Sequence, residues 1–242
     1  NHPHAQYLLG ILYYNGKYVP RDVNKSIYYL THSSNQNNLD ALYKLGLIYY
    51  EGEHITQDIQ KSIHYFTLAA HRNHILSQVR LGMIYYLREK IPRDINKSIY
   101  FLTHAANQND PFAQYNLGMI YLLKKSNQDI NKAIKYIQYS AENRFRQAQA
   151  ILADFYLEGK YVYYDIEQAI RLYKEVSSFN NQYAKNNLGV IYKTGIGKIG
   201  KNISLAKEYL HEAIKQKDDF VSMFNLATIL LEEEESESES NE

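Results

Sequence analysis

A Leu-Gly pair, or Leu-Ala in two places, returns along the whole chain: Leu9-Gly10, Leu45-Gly46, Leu81-Gly82, Leu117-Gly118, Leu152-Ala153, Leu188-Gly189 and Leu226-Ala227. The steps between them are 36, 36, 36, 35, 36 and 38 residues. The opening stretch NHPHAQYLLGILYY accordingly comes back as NDPFAQYNLGMIYL from Asn109. Self-similarity at a fixed period of this length restricts the fold more than any other feature. One supersecondary unit is written repeatedly, and each copy buries its apolar face only by stacking on the next.

The unit contains two helices. In the first, helix A, a small residue lies five before the Gly (Ala5, Ala41, Ser77, Ala113, Ala148, Ala184, Ser222), Leu one before, mostly Ile two after, and Tyr three after in six copies (Tyr13 to Tyr192). These offsets share one helical face. Gly inside a helix costs about 1 kcal/mol relative to Ala, so its recurrence predicts a point where a second helix comes too close for a side chain. A second Gly (Gly16, Gly52, Gly159, Gly195) stands where a helix C-terminus wants a left-handed residue. Arg88 and Lys124 interrupt that column. Asp22, Asp58, Asp94, Asp129, Asp165 and Asn202 then sit as N-caps of helix B. Helix B reads NKSIYYLTHSS, QKSIHYFTLAA, NKSIYFLTHAA and NKAIKYIQYSA in the first four copies, with an aromatic four after the Lys. Copies five and six keep it less well.

Leu-Gly-x-x-Tyr, a Gly-bearing loop, Asp-x-x-Lys-[Ser/Ala], an aromatic and a closing small pair together resemble the Sel-one-like repeat, a relative of the tetratricopeptide repeat with a longer loop between its helices. The resemblance covers residues 1–231 as six repeats and a terminal helix A. It implies an all-α, right-handed α-solenoid of two-helix repeats. It also implies adaptor work without enzymatic activity: members hold protein complexes together, including ubiquitin-ligase assemblies of the endoplasmic reticulum, and some are joined to kinase or other signalling domains. A regulatory domain of such a larger protein is thus a second expectation. For the compartment, cytoplasm and endoplasmic reticulum lumen both stay open.

Composition narrows the chemistry. No cysteine is present, which excludes disulfides, Cys-ligated zinc and cysteine catalysis. His64, His71 and His74 lie at helical spacing but lack a third-ligand motif, GIGKIGK (Gly195 to Lys201) lacks Walker spacing, and no Ser, His and acid set recurs. No metal, cofactor or catalytic group is expected. No run reaches the roughly 18–20 apolar residues of a membrane span. The first residue is Asn, and the expectation is a segment of a longer chain. Lys and Arg number 27 against 26 acids, yet seven of the acids (Glu232, Glu233, Glu234, Glu235, Glu237, Glu239, Glu242) fall in the last eleven residues. The remaining body carries 27 minus 19, or +8. That leaves RNA binding as the competing function, disfavoured because the basic residues are scattered. Residues 232–242, all Glu, Ser and Asn, are expected to be disordered.

Helix A has a second stripe three before, one after and four after the Gly, a helical spacing that stacking on helix B does not use. It holds Tyr7, Ile11 and Tyr14; Tyr43, Leu47 and Tyr50; Val79, Met83 and Tyr86; Tyr115, Met119 and Leu122. In later copies it is mixed, with Asp154, Asn186 and Lys193. In related two-helix arrays this stripe lines the concave face. Tyr7, Ile11, Tyr14, Tyr43, Leu47, Tyr50, Met83, Tyr86, Tyr115 and Met119 are therefore the candidate residues for gripping a protein or peptide partner. The competing assignment makes them core between neighbouring A helices.

Overall fold

A computed structural model describes residues 2–87, 91–124, 126–215 and 219–240, with side chains to 236. Its helices alternate as the two-helix unit requires. Helix A is α1 (Pro3–Asn15), α3 (Leu39–Glu51), α5 (Ile75–Leu87), α7 (Pro111–Lys124), α9 (Arg146–Glu158), α11 (Gln182–Thr194) and α13 (Phe220–Ser240). Helix B is α2 (Val23–Asn35), α4 (Ile59–Ala70), α6 (Ile95–Ala106), α8 (Asn127–Glu142), α10 (Ile166–Ser177) and α12 (Ile203–Ile214). The chain forms two compact units, 1–120 and 121–242.

Within each repeat the recurring glycine sets how close the helices lie. A Cβ on Gly46 would stand 2.5 Å from the Phe66 ring; on Gly10, Gly82 and Gly189 it would stand 2.5–2.6 Å from Leu30, Leu102 and Leu210. These partners all occupy one helix B column, eight after the capping Asp or Asn. Around this contact the small, Leu and Ile columns are sealed from repeat two on, as with Ala41 and Leu45 at 0% exposure and Ile48 at 2%. At the edge of the contact the Tyr of helix A stacks on the aromatic of helix B. The pairs are Tyr13–Tyr29, Tyr49–Tyr65, Tyr85–Phe101, Tyr121–Tyr136 and Tyr192–Tyr209, with centroids 5.7–6.0 Å apart and planes within 13°. Most of these tyrosines are half-buried rather than sealed.

The Asp-x-x-Lys column acquires a mechanism. Each Asp accepts the backbone N–H of its Lys (Asp22–Lys25 2.9 Å, Asp58–Lys61 2.9 Å, Asp94–Lys97 3.0 Å). The same lysine then lays its ammonium over the stacked tyrosine of helix A, 5.1–5.3 Å from the ring centroid. Copy four departs from the expected cap. Lys124 replaces the loop glycine, and α8 starts one turn early on Ser126, whose Oγ accepts from Asp129 N at 3.2 Å. Asp129 is therefore a first-turn residue and not the N-cap. The other break, Arg88, lies outside the described residues.

Repeats are joined by polar contacts that the sequence reading did not anticipate. Gln78 and Gln114, both buried four before the Gly, donate to the last carbonyls of the preceding helix B, Ala70 and Ala106. Helix B ends on a left-handed residue nine before the Gly: Asn37, Asn73, Asn109 and Asn180, all near φ +63°, and Arg144 at +60°. Asn tolerates this conformation far better than most residues, which explains the column.

The acidic end also differs from expectation. The last helix continues through Glu232 to Ser240. Glu232 pairs with Lys193 at 2.9 Å and Glu233 with Lys207, contacts that neutralise part of the run expected to repel itself out of order.

Ser26, Ser62 and Ser98 are 0% exposed, and their hydroxyls have no hydrogen-bond partner among the described residues, whereas copies four to six place Ala133, Ala169 and Ala206 in this column. Ser62→Ala should therefore raise stability by about 1 kcal/mol, because an unpaired buried hydroxyl is removed without leaving a void. Gly46→Ala should lower it by about 1–3 kcal/mol despite its better helix propensity, since Phe66 has to move. Urea denaturation of the two variants measures both, and a destabilised Ser62→Ala would show that the hydroxyl is satisfied after all.

Candidate functional site

The inner stripe of helix A in unit 1 is built from half-buried side chains. Tyr7 and Tyr14 rest on the cluster Leu30, Ala41, Leu45 and Ile48; Tyr43, Leu47 and Tyr50 rest on Phe66, Ala70, Leu81, Ile84 and Phe101. Tyr43 lies 5.6 Å from the Phe66 ring and 5.3 Å from His74. Ile11, Met83, Tyr86, Tyr115 and Met119 are likewise half-buried. Each ring thus has one side committed to the fold and one left over, and the stripe is neither sealed core nor free surface.

Cations occupy part of the leftover side. The residue two before the Gly in one repeat reaches the last tyrosine of the previous stripe: Lys44 Nζ sits 3.9 Å from the Tyr14 centroid, and the Arg80 guanidinium 6.0 Å from that of Tyr50. Arg93, from the loop of repeat three, covers Tyr86 at 4.3 Å. Tyr14 Oη also donates to Glu51 at 3.3 Å. Burial, with Glu51 adding to it, raises the Tyr14 hydroxyl above the ordinary phenol value; burial with Asp40 does the same for Tyr7, and burial alone for Tyr115. Burial lowers the Lys44 ammonium. Tyr7, Tyr14 and Tyr115 are therefore neutral hydrogen-bonding groups on an apolar, cation-edged ladder.

In unit 2 the same stripe turns partly polar. Asp154 stands where other copies carry Ile11, Leu47, Met83 and Met119. It accepts hydrogen bonds from the hydroxyls of Tyr173, which is 0% exposed, and of Tyr183 at 2.8 Å. Tyr173 occupies the column of Leu30 and Phe66, against the repeating glycine, here Ala153. Burial raises the Asp154 carboxyl above the usual aspartate range, partly opposed by the two tyrosine hydroxyls, and burial with the Asp154 bond raises Tyr173. Further along, Asn186 accepts from Ser222 Oγ at 3.1 Å and Asn225 Nδ2 at 2.8 Å, and Lys193 Nζ donates to Thr228 Oγ1 at 2.8 Å. The sequence reading noted Asp154 only as a break in the stripe. The signal that identifies the cluster is two departures at matched addresses, Asp154 on helix A and Tyr173 on helix B of one repeat.

Among the described residues no group of three His, Cys, Asp or Glu side chains is placed to hold a metal ion, and no helix is long and apolar enough to cross a membrane. His74 binds within the scaffold, to Ser77 Oγ at 2.8 Å.

Alternating helices, glycine-mediated closeness and caps recurring at one period define an α-solenoid of two-helix repeats. The chain belongs to the Sel1 repeat family: the model of that repeat matches residues 3–38, 39–74, 75–110, 111–144, 146–175 and 182–218. This is a family that generally mediates protein–protein interaction and is typically non-catalytic. Among solved structures the chain is similar to a protective antigen present in uropathogenic Escherichia coli strains that displays the same fold, at 25% identity and a TM-score of 0.79, covering 95% of this chain and 49% of that one. It is also similar to a Sel1 repeat protein from Oxalobacter formigenes, at 24% identity and 0.78, covering 93% of this chain and 64% of that one. The chain thus spans between half and two thirds of these relatives. A chain of the APC/C hetero-tetramer Cut9–Hcn1 shares the fold at 20% identity and 0.53, with 95% of this chain and 43% of that one covered. No curated protein matches the sequence.

The raised Asp154 carboxyl has a thermodynamic consequence. The folded state binds its proton more tightly than the unfolded state, so stability declines as pH rises from the ordinary aspartate value through the raised one. Asp154→Asn lacks this decline. The melting temperature of the variant should gain on that of the parent as pH rises from about 3.5 to 7; a difference independent of pH would mean the carboxyl titrates normally.

Proposed function

We propose that this chain is a non-enzymatic scaffold that binds a segment of a partner protein along the inner stripe of unit 1. What carries the reading is the half-committed tyrosine ladder. Rings held rigid on one side by the core lose little entropy on binding, and their remaining edges and hydroxyls offer apolar contact with hydrogen bonding. Met83 and Met119 add adaptable surface. With Lys44, Arg80 and Arg93 at its rim, the stripe suits a segment with apolar anchors flanked by acidic or polar groups. Tyr7, Ile11, Tyr43, Leu47 and Tyr115 would contact the anchors; Tyr14, Tyr50 and Tyr86 would contact the flanks.

The lysines behind the basic body weigh against nucleic acid. Lys25, Lys61 and Lys97 each sit between an Asp carboxylate and a tyrosine ring of their own repeat, and Lys193 and Lys207 pair with the acidic end. Each is matched to a carboxylate of its own chain, which offsets positive charge that a phosphate track would need.

A peptide selected on the parent chain from a random library supplies the probe. Tyr50→Ser with Tyr86→Ser should weaken it by about 2 kcal/mol or more by calorimetry while leaving the chain helical. Tyr49→Ala, which breaks the stack on Tyr65, should instead lower stability and leave affinity unchanged. Equal affinity of the Tyr50/Tyr86 variant and the parent would sink the stripe as the binding surface.

A further inference from the structure

Where helix B of one repeat meets the next repeat, a groove recurs. Between repeats one and two it holds about 380 Å3 and is lined by residues such as Asn37, Leu42 and His64. Between repeats two and three it holds about 230 Å3, lined by Asn73, Gln78 and Tyr100 among others. Between repeats four and five it opens to about 600 Å3 and is lined by Arg144, Arg146, Gln149 and Arg171, with Glu142, Glu175 and Phe179.

Those three arginines are departures from the repeat in three separate columns. Arg144 holds the left-handed position that is Asn in four other copies, at φ +60°, a conformation Asn adopts at less cost. Arg146 replaces Leu39, Ile75 and Pro111, and Arg171 replaces Tyr28, His64 and Tyr100. All three converge on one cavity. Arg171 is engaged, with Glu175 Oε1 at 3.2 Å and Gln168 Oε1 at 2.7 Å; Gln149 Nε2 donates to the other Glu175 oxygen at 2.9 Å. Arg144 and Arg146 have no carboxylate at ion-pair distance among the described residues. The guanidinium of Arg146 lies over the exposed Phe179 ring, 4.0 Å from its centroid. Past Gln138 and Tyr156 the cleft continues into a hollow of about 750 Å3 walled by Tyr161, Tyr163 and Tyr164, of which Tyr163 is 96% exposed.

We propose that this cleft binds a peptide segment bearing paired oxyanions, carboxylates or phosphates, on Arg144 and Arg146, with its neighbouring side chains on the tyrosine loop. Guanidinium forks match carboxylate and phosphate oxygens two by two, and an arginine already resting over a ring has less freedom to lose on binding. Glu142 and Glu175 at the wall oppose any anion, so binding requires the two arginines together with contacts on the tyrosines. The proposal rests on the reading of the chain as a protein-binding array but on residues apart from the inner stripe.

The repeat itself supplies the test variants. Arg144→Asn, Arg146→Leu and Arg171→Tyr each restore what other copies carry, so the fold is kept, and Arg144→Asn relieves the backbone. Fluorescence anisotropy of a labelled Ser-Glu repeat peptide, its phosphoserine form and a Ser-Gln control on the parent chain reads binding. The two acidic peptides should bind and the Gln control should not, and their ratio distinguishes carboxylate from phosphate. Arg144→Asn and Arg146→Leu should each cost about tenfold, with Tyr50→Ser/Tyr86→Ser binding as the parent does. Unchanged binding in the arginine variants, equal binding of the Gln control, or inorganic phosphate alone binding as tightly as the peptides overturns the cleft. Loss in the tyrosine variant with the arginine variants unaffected also overturns it, while leaving the scaffold reading in place.

Discussion

The contact between the helix A glycine and the large residue of helix B is what the other features are arranged around. With no side chain at Gly46, the Phe66 ring reaches the helix A backbone, and the two helices meet at a distance no larger residue permits. That closeness brings Tyr49 against Tyr65 at 5.7 Å, and the stacked pair gives Lys61 an aromatic face beside its own N-cap Asp58. Ala41, Leu45 and Ile48 are sealed in the same step. Because the geometry is local, one copy can be written again and again, with stability coming from each copy and its neighbour.

Much of this was legible in the sequence because it obeys a period. The Leu-Gly step gave the repeat, the helix A face gave the buried columns, and the Asp column gave the caps of α2, α4 and α6. Copy four was misread at Asp129 since one residue fewer in its loop shifts the start of α8, a change that capping preference alone does not resolve. Asn after helix B in four repeats, and Gln78 and Gln114 where repeat meets repeat, also recur at fixed addresses. Their roles are not legible in the spacing, because a polar residue in a loop or on a helix flank looks solvated until its partner, for the glutamines a carbonyl of Ala70 or Ala106, is located.

The stripe was legible as a pattern but not as an environment. Sequence spacing separates the face of Tyr49 from that of Tyr43 and Tyr50, and it suggests one buried set and one open set. In the fold all three are half-buried, since Tyr43 and Tyr50 lean on Phe66 and the next repeat's Leu81 and Ile84. Helical periodicity reports direction from one axis only. How far a neighbouring helix overlaps that direction depends on the angle between repeats, which no single repeat encodes.

Departures from the repeat carry the remaining information, and they fall into two kinds. Asp154 breaks an apolar column and is met inside the chain by Tyr173 and Tyr183; Lys193 breaks the same stripe and is met by Thr228 and Glu232. A break met by a second break keeps the fold satisfied, because a buried polar group needs a partner and the chain has supplied it. Arg144 and Arg146 are of the other kind. They displace residues that suit their positions better, one of them at a backbone cost, and no acid in the described chain answers them. On the terminal helix A, Phe220, Phe224 and Leu231 are likewise exposed, at 74%, 70% and 57%, whereas the stripe residues at the addresses of Phe224 and Leu231 are half-buried in unit 1. In a repeat whose other columns are settled internally, an unanswered residue is where the molecule has chemistry left to share.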